Sequence, residues 1–240
     1  MQNLTDDNYW NRNWKKYKNK KKVLFQNVFD KFLKKDENKN CIEIGCVPGR
    51  FLVYISKKFG YRVYGLDFAD ISPVENLFKK ENITNYKLYK KDFLKFKSKE
   101  KFDVVTSFGF IEHFDDYDTI FKKHINLMKK DGLFILEMPN FNFGQYYLHK
   151  IFDKANLARH NLKIMNLNVL RDLCNKYGLD ILNLDYYKTA DFWIDNNDKH
   201  FIFAKIFANS LRVLFKVISY FVNYPNEYLS PYIMLVARKK

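Results

Sequence analysis

Cys41-Ile42-Glu43-Ile44-Gly45-Cys46-Val47-Pro48-Gly49-Arg50 is the stretch that decides the fold of this 240-residue chain. Ile42 and Ile44 alternate around Glu43, whereas Phe51, Leu52, Ile55 and Phe59 recur with helical spacing, so the apolar period changes at the glycines. That predicts a strand, a tight loop and a helix, as in an ordinary strand-to-helix turn of an α/β protein. Gly45 and Gly49 lack Cβ atoms, which opens positive φ and lets a ligand come close to the main chain. The loop is therefore read as a ligand seat. A dinucleotide seat needs G-x-G-x-x-G, with the pyrophosphate resting on the helix N-terminus. Here Val47 and Arg50 stand where its second and third glycines would be. Glu43, two residues before the first glycine, would repel a pyrophosphate and suits a ligand that carries an ammonium group and no phosphate.

Two further segments bear on that seat. Tyr61 to Asp67 reads as a second strand ending in a carboxylate. An acid about 20 residues beyond a glycine loop, at the tip of the next parallel strand, can accept both hydroxyls of a ribose. Phe102 to Ser107 reads as a fourth strand and runs into F-G-F-I-E-H-F, Phe108 to Phe114. Strand C-termini of an open parallel sheet face its ligand crevice, which positions Ser107, Phe108, Gly109, Glu112 and His113 to meet a ligand.

With these residues in place, the sequence resembles the class I S-adenosylmethionine-dependent methyltransferases. Their first motif is an acid, one residue, then G-x-G-x-G; this chain has Val47 for the middle glycine and Pro48 before the last, a G-x-x-P-G variant. Ser107 to Phe114 resembles the S-x-x-x-x-E-H-[FV] segment of small-molecule members and lacks the D/N-P-P-Y/F clamp of base-modifying ones. The resemblance covers roughly residues 40 to 190 plus the last strand. It implies a Rossmann-like α/β fold with a mostly parallel seven-stranded sheet, an antiparallel last strand and helices on both faces. It implies S-adenosylmethionine as cofactor, seated by Glu43, Gly45, Cys46, Gly49, Asp67, Asp92, Phe93, Ser107 and Phe108. Asp92 takes the family's adenine-binding place. His113, and second His160, are the candidate catalytic residues if a hydroxyl acceptor needs a base. No cysteine pair or other cluster has metal-ligand spacing, so no metal is expected.

Lysine and arginine outnumber acidic residues by 42 to 27. Such an excess can draw nucleic acid, anionic lipid or phosphorylated substrates, but the lysines are scattered in pairs and form no clustered patch, which disfavours an RNA-binding role. Cys41, Cys46 and Cys174 are odd in number, and M-Q-N-L-T-D-D-N-Y-W has no basic flank and apolar run, so the expected compartment is the cytoplasm.

In chain order, one methyltransferase domain over residues 1–240 is expected, with an N-terminal arm over 1–22 that carries Tyr9, Trp10 and Trp14 in the family's Y-W-x-x-x-W leader. A helix follows over Val23 to Leu33, and Ser72-Pro73 starts another by the N-cap rule. Residues 140–165 read as an irregular, aromatic-rich, lid-like connection. An insertion at about 195–228 contains Phe201 to Asn223, apolar except for Lys205, Asn209, Arg212, Lys216, Ser219, Asn223 and a stray Ser210. On a helix those polar residues form one narrow stripe and leave an apolar arc too wide for a surface helix. Burial against the fold is the expectation, then a homodimer contact, then membrane-surface docking. The expected reaction is O-methylation of a small polar molecule such as a sugar or phosphorylated glycan precursor. Lipid methylation or cyclopropane formation is the alternative, RNA methylation a lesser one, and a scaffold without cofactor another.

Overall fold

The computed structural model describes residues 4–5, 9–12, 23–195, 198 and 200–240. The expected arm residues Asp6, Asp7 and Trp14 lie outside the described residues. Seven strands form one sheet: β1 (Asn40–Ile44), β2 (Arg62–Asp67), β3 (Tyr86–Lys90), β4 (Phe102–Phe108), β5 (Met128–Pro139), β6 (Leu179–Tyr187) and β7 (Tyr232–Lys239). Their order is β3-β2-β1-β4-β5-β7-β6. The seven strands and the antiparallel β7 are as the family resemblance implied. The helices are α1 (Gln26–Phe32), α2 (Arg50–Phe59), α3 (Ser72–Lys80), α4 (Tyr117–Ile125), α5 (Phe143–Phe152), α6 (Lys154–Leu157), α7 (Leu167–Lys176) and α8 (Ile202–Phe221).

The chain gathers into two compact units. One comprises residues 6–108, 122–135 and 238–240. In it β1 pairs in parallel with β2 and β4, placing Ile44 opposite Leu66 and Ser107, and β2 pairs with β3, placing Asp67 opposite Lys90. Strands β1 and β2 are buried along almost their whole length, which is why they read as nearly continuous apolar runs. Edge strand β3 is half exposed and carries Lys87 and Lys90, charges that discourage further pairing. Phe25, Phe29, Phe51 and Phe108 pack their rings together, with Phe51 and Phe108 centroids 4.3 Å apart. Helix α1 starts later than predicted because Phe25 takes a left-handed φ of 62° just before it. Ser72 does not cap α3: its hydroxyl donates to Asp70 Oδ2 at 2.8 Å.

The other unit comprises residues 1–5, 109–121 and 136–237. Residues 143–157, expected to be irregular, form α5 and α6. Long-range bonds anchor this region. Asn140 Nδ2 donates to Glu227 O and Ser230 O at 2.9 and 3.0 Å, and Gln145 Nε2 donates to Asp191 O and Leu229 O, both at 2.8 Å. Helix α7 follows its predicted pattern, with Asn166 Oδ1 accepting from the Asn168 and Val169 N–H groups. Helix α8 corrects the expectation of burial. Only Ala204, Ala208 and Phe215 are buried, the last two packed with Ala190, Phe192 and Ile194, while most of its apolar residues face solvent. No helix among the described residues is long and apolar enough to cross a membrane.

Candidate functional site

The glycine loop after β1 is built by backbone geometry. Gly45 has φ 74° and Gly49 φ 90°, a region costly for residues with a Cβ, and Gly49 N–H donates to Cys46 O at 2.7 Å. The Val47–Pro48 peptide is cis. Gly45 N–H donates to Leu66 O at 2.9 Å, which fixes the loop to the end of β2. There Asp67, 7% exposed, closes it: Oδ2 accepts from Val47 N–H at 3.1 Å and Oδ1 from Ala69 N–H at 2.9 Å. Burial raises the Asp67 pKa, against those two bonds, which favour the ionised form.

Glu43 lies one strand away and is buried. Its Oε2 has no hydrogen-bond partner among the described residues, and burial pushes its pKa well up although the Arg50 guanidinium pulls the other way. Ser107 Oγ, at the end of β4 opposite Ile44, is likewise buried and unpartnered among them. Asp92 is half-buried two residues past the end of β3, its Oδ1 accepting from Leu94 N–H at 2.8 Å. Glu43, Gly45, Gly49, Asp67, Asp92 and Ser107 thus all stand at or just beyond the C-terminal ends of β1 to β4. The side chains of the other three, Cys46, Phe93 and Phe108, make packing contacts. Cys46 Sγ lies against Gly65, leaving no room there for a Cβ, and burial holds its thiol well above the ordinary range. Phe93 packs on His124, with ring centroids 4.6 Å apart, and Phe108 belongs to the aromatic cluster.

In the second unit a 3₁₀ turn, Ile111–His113, presents Glu112 and His113. His113 Nδ1 lies 2.9 Å from Arg159 O and His160 Nδ1 lies 2.7 Å from Asn156 O. A carbonyl only accepts, so each Nδ1 carries the proton and each Nε2 is the basic nitrogen. The two rings are 4.5 Å apart. Burial lowers the His113 pKa to about 4 and takes His160 well below its usual value, with His113 adding to the latter effect. Both imidazoles are neutral at pH 7. Glu112 is fully buried, neither carboxylate oxygen has a well-formed hydrogen bond among the described residues, and burial pushes its pKa well up against the pull of the nearby Glu112 and Phe110 N–H groups, with Glu137 adding to the rise. Its Oε1 lies 4.0 Å from His113 Nε2. Leu4 N–H donates to His113 O at 2.8 Å.

Sequence spacing suggested no metal-ligand cluster, yet folding assembles two among the described residues. Glu112, His113 and His160 each offer a ligand atom within 4.8 Å of the others, as do Asp153, Asp198 and His200. In the second group Arg159 already engages Asp198 at 2.7 Å, and His200 Nε2 lies 2.7 Å from Asp195 O. The sequence places Glu112 at the ligand crevice by its position past the fourth strand, but not as a metal ligand or beside His160.

A family model described as a methyltransferase domain matches residues 14–184. The chain belongs to that family. The family's cofactor is S-adenosylmethionine, and the first unit fits it: a loop free of side chains at Gly45 and Gly49, a buried acceptor on Glu43 for an ammonium, and a carboxylate at Asp67. The chain is 28% identical over 158 residues to ubiquinone biosynthesis O-methyltransferase of Pelagibacter ubique, covering 62% of this chain and 65% of that one. It is 21% identical over 188 residues to (S)-coclaurine N-methyltransferase of Papaver somniferum, covering 73% and 53%. It therefore spans less than two thirds of either relative. Among solved structures, phosphoethanolamine N-methyltransferase 2 of Haemonchus contortus, in complex with S-adenosyl-L-methionine, superposes with a TM-score of 0.62 at 16% identity, over 89% of this chain and 51% of that one. That likeness is one of fold.

Proposed function

We propose that the chain transfers a methyl group from S-adenosylmethionine to a hydroxyl of a small polar molecule, of the sugar or sugar-phosphate class, with His113 taking the proton and His160 beside it. When bound, the cofactor supplies an activated methyl, so the protein's task is alignment and proton removal. The observation that carries the reading is the neutral, buried His113 with its proton held on Nδ1 and Nε2 basic. A hydroxyl that gains a methyl becomes an oxonium, a far stronger acid than imidazolium, so an imidazole with a pKa of about 4 can still take its proton. A methylated amine, with a pKa of about 10, would keep its proton beside such a base. The histidines thus favour oxygen over nitrogen.

A second reading is favoured by the gathering of ligand atoms from Glu112, His113 and His160 within 4.8 Å of one another: a divalent cation held by the three that polarises the acceptor oxygen. Tetrahedral zinc places its ligand atoms roughly 3.4 Å apart. The 4.0 Å between Glu112 Oε1 and His113 Nε2 would have to close by less than an ångström.

The test is methyl transfer from labelled cofactor to a panel of sugars, sugar phosphates, amines, phospholipids and transfer RNA, with and without a chelator. Methyl ethers formed equally in chelator support the proposal. Chelator-sensitive ether formation selects the cation reading. Transfer only to amines, lipid chains or RNA overturns both.

A further inference from the structure

Helix α8 has three distinct faces. Ala208 and Phe215 pack into the unit's core, Ala204 is buried on the same face, and Ser219 Oγ, donating to Ala190 O at 3.2 Å, lies at the edge of that face. At 3.6 residues per turn, Ile202, Ile206, Val213, Val217 and Tyr220 fall within an arc of about 60° on the far side. Phe203, Leu214 and Phe221 border it. All eight are exposed, Phe203 by 69%, Tyr220 by 84% and Phe221 by 77%. Between the apolar arc and the buried face run Lys205, Asn209 and Lys216, also exposed, and neither lysine has an ion pair among the described residues. No acidic residue occurs from Phe201 to Asn223.

A contiguous apolar surface of this kind marks an interaction site. Two features select its occupant. The helix carries Lys205, Arg212 and Lys216 and is not apolar enough to cross a bilayer, so an apolar partner must be met along its side. A second copy fits poorly, because isologous pairing would bring together two chains with a formal net charge of +15 each and set their cationic strips side by side. An anionic bilayer surface accepts both faces at once, the isoleucines, valines and phenylalanines at the acyl boundary and the lysines among the headgroups. Tyr220, Tyr224 and Tyr228, all exposed, have the amphipathic rings that suit that boundary. Neighbouring α5, tied to α8 by the stacked rings of Phe152 and Phe207 at 4.4 Å, adds exposed Tyr147 and Ile151. We propose that α8 docks the protein on an anionic lipid surface, lying in the plane of the interface. The inference does not depend on the acceptor chemistry above.

The experiment is sedimentation of the full chain with phosphatidylcholine vesicles, with and without one third phosphatidylglycerol. Binding is expected to the anionic vesicles and to weaken as salt rises. Lys205→Gln with Lys216→Gln should lower that partitioning about 30-fold, at about fivefold per lysine near an anionic surface. Val213→Ser with Val217→Ser should abolish it. Because all four side chains are exposed, unchanged circular dichroism and unfolding midpoint certify the variants as folded. Equal affinity for neutral and anionic vesicles, or no binding to either, overturns the proposal. So does a vesicle-free dimer in analytical ultracentrifugation that the same valine substitutions dissociate, since the face would then belong to a second copy.

Discussion

Replacing Gly49 by alanine tests how tightly the glycine loop is built. Two separable costs follow from the structure. The residue has φ 90°, and a left-handed backbone costs an L-residue about 1–2 kcal/mol. A Cβ there would also lie 2.7 Å from Val74 Cγ1, and Val74 is fully buried at the start of α3 and cannot swing aside into solvent. Overpacking of that kind costs about 1–3 kcal/mol. The expected loss for Gly49→Ala is therefore about 2–5 kcal/mol. Gly178 is the internal control, since its φ is 68° but nothing lies within 4 Å of its added Cβ. Gly178→Ala should lose the conformational part alone, about 1–2 kcal/mol. Urea unfolding of the three proteins, analysed with a shared slope, separates the two costs. If Gly49→Ala loses no more than Gly178→Ala, the Val74 contact is not tight and the account of the loop is wrong.

Asp67→Ala should weaken binding of S-adenosylhomocysteine more than tenfold by calorimetry, the loss of about 1.5–3 kcal/mol expected for a charge-assisted hydrogen bond; wild-type affinity would place the ribose partner elsewhere. His113→Ala should lower turnover by about 100-fold or more while leaving cofactor affinity intact, and unchanged turnover would retire it as the base. The folded His113 pKa of about 4 lies below the ordinary 6.5, so its contribution to stability is full above pH 6.5 and is lost as the pH falls towards 4. His113→Gln should therefore flatten the decline of the urea midpoint between those values, and an unaltered slope would mean the imidazole titrates normally. Glu112 has the opposite sign: its raised pKa gives stability below the ordinary 4.5 that is lost as the pH rises, so Glu112→Gln should raise the urea midpoint at pH 7 and gain little near pH 4. A lower midpoint at pH 7 would show that the carboxylate is held by an ionic partner.

The strand, glycine loop and helix from Asn40 to Phe59 were legible because their signals are local: a change of period and glycines where φ is positive. Asp67 was legible by spacing, although the structure also gives it the task of holding the Val47 and Ala69 N–H groups. Helices α5 and α6 were hidden because aromatic and polar residues alternate there without a clear stripe, and because Asn140 and Gln145 find their partners more than 40 residues away. Cys46, Phe93 and Phe108 stand at the positions expected of cofactor contacts, but the direction of their side chains is decided by packing, against Gly65, His124 and the Phe25–Phe51 cluster. Pattern reading places a residue on an element and does not say which way its side chain turns. The meeting of His113 with His160 is likewise a product of tertiary structure alone.

Arg159 holds the second unit's chemistry from both of its ends. Its carbonyl oxygen fixes the tautomer of His113, while its guanidinium bonds Asp195 and Asp198, each at 2.7 Å. A main-chain group sets the imidazole, and two carboxylates on the approach to α8 set the main-chain group. The ring is thus governed at a distance by residues that never touch it. A lysine at position 159 would keep the charge but lose the planar fork that grips two carboxylates at once. Its effect would surface at His113, as a shift in which ring nitrogen carries the proton.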